Sequence, residues 1–136
     1  MNKERRKALS NAQDDITGFV ASFLTRLNQA ELTSEDALEE VKGQLEDLKS
    51  IIEPLKDEEQ EYIDNMSENL RNGDRAATAE AAVSEMEEAM TNIDTAMEKI
   101  DAVIEAYQAL AEAITALEEV ESELDEAHGH LDSAKE

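Results

Sequence analysis

The sequence contains no cysteine and no tryptophan, and its 136 residues include one proline and four glycines. Without cysteine, neither a disulfide framework nor a cysteine-ligated zinc site can form. No apolar run approaches the roughly 18 residues of a membrane-spanning helix. The basic opening is not followed by the apolar core of a secretory signal. We therefore expect a cytoplasmic protein that does not associate with membranes, with a length typical of one domain.

Basic side chains are also scarce, and they are unevenly placed. The chain has 12 Lys and Arg residues against 35 Asp and Glu residues, a net charge of -23. Residues 1–30 carry five basic and three acidic side chains, whereas residues 31–136 carry seven basic and 32 acidic ones. A field this negative repels nucleic acid and attracts basic proteins. The composition predicts no direct nucleic-acid binding and a partner with a basic surface.

The apolar residues, 40% of the chain, recur at helical spacing, which argues against a disordered acidic polymer. Helix formers dominate and strand-like alternation is absent. We predict a single all-helical domain over residues 1–136, with helices at about 3–28, 34–66 and 75–134. The fold class is a long antiparallel helical hairpin or coiled-coil-like bundle of three helices.

The first predicted helix has one apolar face, and it holds the only two phenylalanines of the chain, Phe19 and Phe23. Spacings of three and four residues define this face. Its members are Leu9, Ala12, Ile16, Phe19, Val20, Phe23 and Leu27.

The second predicted helix has a heptad seam that one acidic residue, Glu59, interrupts. Glu59 is either a buried carboxylate with a raised pKa or part of a hydrated acidic patch, and its acidic neighbours favour the patch. Pro54 predicts a kink, or else the start of a fresh helix. Asn72-Gly73 supplies the turn that follows. The seam is Leu38, Val41, Leu45, Leu48, Ile52, Leu55, Tyr62 and Met66.

The third predicted helix carries three apolar heptad columns, a face typical of a bundle. One column changes to acidic residues at Glu118 and another at Glu121, while a new column begins at Ala106. The buried face therefore rotates, and the distal part should meet a different neighbour. One column continues throughout: Ala82, Ala89, Ala96, Val103, Leu110, Leu117, Leu124 and Leu131; the new column is Ala106, Ala113, Val120 and Ala127.

A turn near Arg71 would pair the second and third helices antiparallel, with Leu45 opposite Met97 and Ile52 opposite Met90. The first helix either extends the second or folds back at Gln29-Ala30, and we favour the extension slightly. The extension would place Arg5, Arg6 and Lys7 beside Asp132 and Glu136. Because helices this long leave apolar faces uncovered, we expect a homodimer.

Catalytic and metal sites are poorly supported by the sequence. Asp125-Glu126-Ala127-His128 spells a helicase motif, but the phosphate-binding loop that this motif requires is absent. Glu121, Asp125, His128 and His130 share one helix end, without a second histidine-bearing helix to complete a metal site. We expect no enzyme, no cofactor and no metal.

Residues 56–70, KDEEQEYIDNMSENL, together with the opening NKERRKAL of residues 2–9, resemble small acidic uncharacterised proteins of bacteriophages and prophages. The resemblance covers residues 2–9 and 45–105. It departs where Ser67 replaces a proline, and in an insertion of about 25 residues that contains Phe19 and Phe23. It implies a phage accessory protein in an infected or lysogenic bacterial host, and it supplies no activity or site residues.

Two functions fit this pattern. The first is a DNA-mimic inhibitor that occupies the nucleic-acid-binding surface of a host restriction, defence or nucleoid protein. The second is a structural or assembly dimer that scaffolds or chaperones a partner through Phe19 and Phe23. The predicted acidic rows of the first are Glu46, Asp47, Glu53, Asp57 and Glu61 on the second helix and Glu80, Glu87, Asp94, Asp101 and Glu105 on the third.

Overall fold

The computed structural model describes residues 1–135, which form four helices and, within that range, no strand. The prediction of an all-helical chain is confirmed. The four-residue α3 occupies the connection that was predicted to be only a turn. The helices are α1 Lys3–Asn28, α2 Glu35–Asp64, α3 Glu68–Arg71 and α4 Asp74–Ala134.

Side-chain caps fix the starts of the first two helices. The Asn2 side chain accepts a hydrogen bond from the Arg5 backbone N–H, and the Ser34 hydroxyl accepts one from Ala37. Each cap satisfies one of the backbone donors that a helix start leaves without an intrahelical partner. The α1–α2 connection turns at Ala30, whose φ of 56° lies in the left-handed region.

Helix α2 is continuous through Pro54, so the alternative of a fresh helix beginning there is wrong. It ends at Asp64, two residues before the predicted end at Met66. The side chain of Arg71 on α3 explains this end, because its guanidinium donates to the backbone carbonyls of Asp64 and Met66. These carbonyls belong to the last turn of α2 and the residues after it, where carbonyls lack helical partners.

The chain divides into two compact units, Met1–Ile100 and Asp101–Glu136, and α4 contributes residues to both. In the first unit, α2 and α4 share a buried apolar cluster. An ion pair joins Lys49 to Asp94. The predicted register, with Leu45 opposite Met97, puts residue 93 opposite Lys49, so the observed contact is one residue away. A second cluster contains Ile63, Ala79 and Val83. The main cluster consists of Leu45, Leu48, Ile52, Met86, Ile93 and Met97.

The favoured prediction, that α1 extends α2, is wrong. Helix α1 instead runs back along α2. Arg5 contacts Glu59 near one end of α2, and Arg26 lies 3.6 Å from Glu40 near the other. Half-buried side chains of α1 pack against the main cluster, which the extended arrangement would have left uncovered. The α1 side chains that pack there are Leu9, Ile16 and Phe19.

The second unit, as far as residue 135, is the distal part of α4. Ile104 is its one buried residue, and Asp101 and Tyr107 are half-buried. Its remaining described side chains are exposed, including a series of large apolar ones. This unit thus has helical structure without a buried apolar cluster of its own.

Candidate functional site

The acidic residues predicted on α2 are all solvent-exposed. Glu46, Asp47 and Glu53 lie on the side of α2 away from the buried seam, and Glu61 continues the series. Asp57 is exposed as well, but its Oδ1 lies 3.0 Å from the Lys56 Nζ. The Asp57 hydrogen bond is the main reason that the pKa of Lys56 is raised. Glu46, Asp47, Glu53 and Glu61 therefore face water, and the charges of Glu46 and Glu53 also help to raise the pKa of Lys49.

The acidic column predicted on α4 is less open. Glu80, Glu87 and Glu105 are exposed, whereas Asp94 and Asp101 are half-buried. Asp94 Oδ1 accepts a hydrogen bond of 2.8 Å from Lys49 Nζ. This bond raises the pKa of Lys49 above its ordinary 10.5. Asp94 is thus paired with a lysine of α2, and the outward negative field comes mainly from the other carboxylates.

Nearly all acidic side chains of the described residues are nevertheless exposed to solvent. Among residues 1–135, every acidic side chain is exposed except Glu59, Asp94 and Asp101. With so few basic residues, most of these carboxylates have water as their environment. Most of these negative charges therefore lie on the exposed surfaces of helices.

Glu59 is the exception, and the hydrated patch predicted around it is wrong. Its side chain is 0% exposed. Its Oε2 lies 3.0 Å from Arg5 Nε, and its Oε1 lies 3.1 Å from the Met1 ammonium. Both contacts are ion pairs rather than aligned hydrogen bonds. Burying this carboxylate is tolerable because cations compensate it.

Two basic residues of the N-terminal segment, Arg5 and Arg6, make their contacts at this same end of the first unit. Arg5 also donates to the Glu58 carbonyl and lies 5.5 Å from the centre of the Tyr62 ring. Arg6 donates to the Met1 carbonyl. Of the two C-terminal acids predicted to lie beside these residues, Asp132 contacts Lys135, and Glu136 lies outside the described residues.

Phe19 and Phe23 are half-buried and stack on each other, with ring centres 5.9 Å apart and an interplanar angle of 17°. Phe19 packs against the main cluster. The pair is therefore largely a structural element. The large apolar residues that α1 exposes are Val20, Leu24 and Leu27, of which Val20 and Leu27 belong to the predicted apolar face.

The distal part of α4 exposes a series of large apolar side chains. Large side chains recur there at heptad spacing, and Leu117 is 69% exposed. The sequence predicted a second neighbour for this stretch, and the columns that suggested it are the ones that face water. The exposed large residues are Val103, Leu110, Ile114, Leu117, Val120, Leu124 and Leu131.

The histidine-containing set at the end of α4 is exposed, and His128 Nδ1 lies 3.6 Å from Asp132 Oδ2. Within residues 1–135, no group of three or more His, Asp or Glu side chains is placed to hold a metal ion. None of the helices in that range has the length and apolarity needed to cross a membrane.

The residue that sequence reasoning missed is Arg5, as the partner of Glu59. The signal for Arg5 was the combination of a charged seam position with a basic opening segment. Comparison with known proteins finds no matching protein family, no matching curated protein and no matching solved structure.

Proposed function

We propose that this chain is a phage-type acidic inhibitor that imitates DNA. It occupies the basic nucleic-acid-binding surface of a host restriction, defence or nucleoid protein, in the cytoplasm of an infected or lysogenic bacterium, and it performs no catalysis. The observation that supports this is the exposure of nearly all carboxylates on helices. Because a helix fixes where its residues lie, the charges form an array rather than a fluctuating cloud.

The charge density of α2 bears on this proposal. Glu35–Asp64 carries twelve acidic and three basic side chains, a net charge of -9. At 1.5 Å per residue, this gives about one net charge per 5 Å of helix axis. Duplex DNA has about one charge per 1.7 Å, and one of its strands about one per 3.4 Å. A basic groove built for a duplex would therefore need contact with more than α2 alone.

We place the main contact on Glu46, Asp47, Glu53 and Glu61 of α2. Glu80, Glu87 and Glu105 of α4 contribute next, while Asp57, Asp94 and Asp101 contribute least. Asp57 and Asp94 rank lower because each has a lysine within 3.0 Å. Asp101 ranks lower because it is half-buried.

The test is displacement of labelled duplex DNA from candidate targets at several salt concentrations. The targets are a basic nucleoid protein and restriction endonucleases from bacterial hosts. The combined variant Glu46→Gln, Asp47→Asn and Glu53→Gln should displace DNA at least about tenfold less well and show a shallower salt dependence. The matched control is Glu112→Gln, Glu119→Gln and Glu126→Gln, which also removes three exposed charges and should have a smaller effect.

A charge-matched polyglutamate peptide separates imitation from general polyanion binding. If the peptide displaces DNA as well as the folded chain does, or if the two triple variants are equally impaired, positioned charge has no role and the proposal fails.

A second candidate is a structural or assembly dimer that scaffolds or chaperones a partner. The apolar surface of the distal part of α4 favours it, because a surface of this kind marks an association site. We propose that the chain is a homodimer, and that contacts among α1, α2 and the first part of α4 make residues 1–100 an antiparallel three-helix bundle. Light scattering should give twice 15.1 kDa at micromolar concentration; a mass of 15.1 kDa would refute the dimer.

The two candidates respond to different substitutions. Loss of the α2 carboxylates should remove DNA displacement and leave the dimer intact. Phe19→Asp with Phe23→Asp tests the originally predicted contact. Since both rings are half-buried and Phe19 packs on the main cluster, this pair should first be checked for retained helicity by circular dichroism.

A further inference from the structure

The distal part of α4 has two adjacent apolar columns, which together we name the distal seam. The first column has a large residue at every seventh position and the second is made almost entirely of alanine. Every residue of both columns is exposed. The first column is Val103, Leu110, Leu117, Leu124 and Leu131; the second is Ala106, Ala113, Val120, Ala127 and Ala134.

Strict seven-residue spacing over this length is the pattern of a helix that pairs with another helix. Alanine in one column lets the two backbones approach closely, while leucine in the other fills the space beside it. The partner must therefore present small residues where this seam is large, and large residues where it is small. A second copy of the seam does so when the two helices run in opposite directions.

Antiparallel pairing centred between Leu117 and Val120 places each large residue opposite a small one, apart from the central Leu117–Val120 layer. A two-fold axis repeats every layer, as an isologous interface requires. In-register parallel pairing would instead place leucine on leucine and alanine on alanine. The antiparallel layers are Leu117 with Val120, Ala113 with Leu124, Leu110 with Ala127, Ala106 with Leu131 and Val103 with Ala134.

The charges favour the same direction. Residues 118–126 contain six acidic side chains, and in-register parallel pairing would set two such segments side by side. Antiparallel pairing sets them against residues 111–119, which contain three. The helix macrodipoles also attract when the helices run in opposite directions.

We propose that the distal seam binds the distal seam of a second copy as an antiparallel helix pair with these layers. This inference rests on the homodimer proposed above and names its surface. It does not depend on DNA imitation.

A compensating exchange tests the pairing of Ala113 with Leu124. Ala113→Leu alone crowds two layers of the dimer, and Leu124→Ala alone leaves two layers underfilled. Each should weaken the dimer by about tenfold or more in sedimentation equilibrium. The double variant restores one large and one small residue per layer, so it should return to within about threefold of the parent. Both residues favour helix, so the exchange leaves helix propensity nearly unchanged.

Leu117→Glu should disrupt the distal seam, and Thr115→Glu is its matched control. Both introduce one carboxylate, but Thr115 is on the side of the helix away from the seam. Leu117→Glu should give a monomer at concentrations where Thr115→Glu remains a dimer, and circular dichroism confirms that both stay helical.

Because the chain has no cysteine, single nitroxide labels report the direction directly. Glu119→Cys and Glu105→Cys lie on one heptad column of the helix. Antiparallel pairing places the two Glu119 labels at nearly the same height and separates the two Glu105 labels by about 40 Å along the axis. Parallel pairing gives both label positions the same short separation in a pulsed electron spin resonance measurement.

Rescue by the double variant together with one short and one long distance supports the proposal. Additive losses, or two equal short distances, overturn the antiparallel seam while leaving the homodimer standing. A monomer at all concentrations overturns both.

Discussion

The two parts of α4 carry similar heptad columns, but one part is covered and the other is open. In residues 74–100, Met86, Ile93 and Met97 are buried against α2. In residues 101–134, Leu117, Leu124 and Leu131 face water. The same local pattern thus gives a core in one place and an unoccupied surface in the other. The difference shows that periodicity specifies a face of a helix, whereas only a partner makes that face a core.

The two regions also differ in how their charges are paired. The first unit contains the buried Glu59 with its cations and the Lys49–Asp94 pair. In the distal part of α4, Lys135 is the only basic residue besides the two histidines. Substitutions can remove the buried contacts that stabilise the first unit, and the same substitutions in the distal part of α4 show whether that part has such contacts.

The largest effect should come from Arg5→Ala, because it removes one of the two cations beside Glu59. Breaking a buried pair typically costs about 3–5 kcal/mol. We expect about 3 kcal/mol, the lower end, since the Met1 ammonium remains beside Glu59. Urea denaturation followed by circular dichroism measures the loss.

Arg6→Ala is the matched control, because Arg6 is exposed and donates to the Met1 carbonyl rather than contacting Glu59. It should change stability by less than about 0.5 kcal/mol. The double variant Arg5→Met with Glu59→Leu should recover part of the loss, since it removes both the buried carboxylate and the guanidinium beside it, while the Met1 ammonium stays there without Glu59. If Arg5→Ala and Arg6→Ala are equally mild, the buried pair does not stabilise the fold as we describe it.

The second prediction uses one substitution in both regions. Leu45 is 6% exposed and Leu117 is 69% exposed. Leu45→Ala should cost about 2 kcal/mol, the lower end of the range for buried leucines, since it removes buried methylene groups and leaves a cavity. Leu117→Ala should change unfolding by less than about 0.5 kcal/mol at concentrations low enough for the monomer. Equal losses would mean that the distal part has a core of its own.

The sequence was sufficient to predict an all-helical chain, because helix-forming composition and apolar spacing are local features. The environment of Glu59 was not predictable locally, since its partner Arg5 lies 54 residues away. The early end of α2 depends on Arg71 reaching the carbonyls of Asp64 and Met66. Val20 and Leu27 are exposed although they belong to the apolar face of α1, because an apolar stripe looks the same in sequence whether or not a neighbour covers it.

The third prediction concerns glycines inside helices. Gly43 lies in α2 and Gly129 in the distal part of α4, and a Cβ at either position would meet no other atom within 4 Å. Alanine should therefore stabilise each helix by roughly 0.5–1 kcal/mol. Gly43→Ala should raise the stability of the whole first unit in urea denaturation. Gly129→Ala should slow hydrogen exchange only in neighbouring amides of the distal helix. A rise in global stability from Gly129→Ala would show that the two regions unfold together.

The smallest effect should come from Lys49→Gln, which removes a half-buried ion pair with Asp94. The pKa of Lys49 is raised above 10.5 by its hydrogen bond to Asp94, so folding favours the protonated amine. This contribution is complete below pH 10.5 and disappears as the pH rises through the higher pKa of the folded state. Thermal melts of the parent should therefore exceed those of Lys49→Gln slightly at neutral pH and low salt, and the two should converge in concentrated salt or at higher pH. Lys99→Gln, on the exposed side of α4, is the control. If its melting temperature changes as much as that of Lys49→Gln, the difference reflects net charge, and the Lys49–Asp94 contact is not what stabilises the first unit.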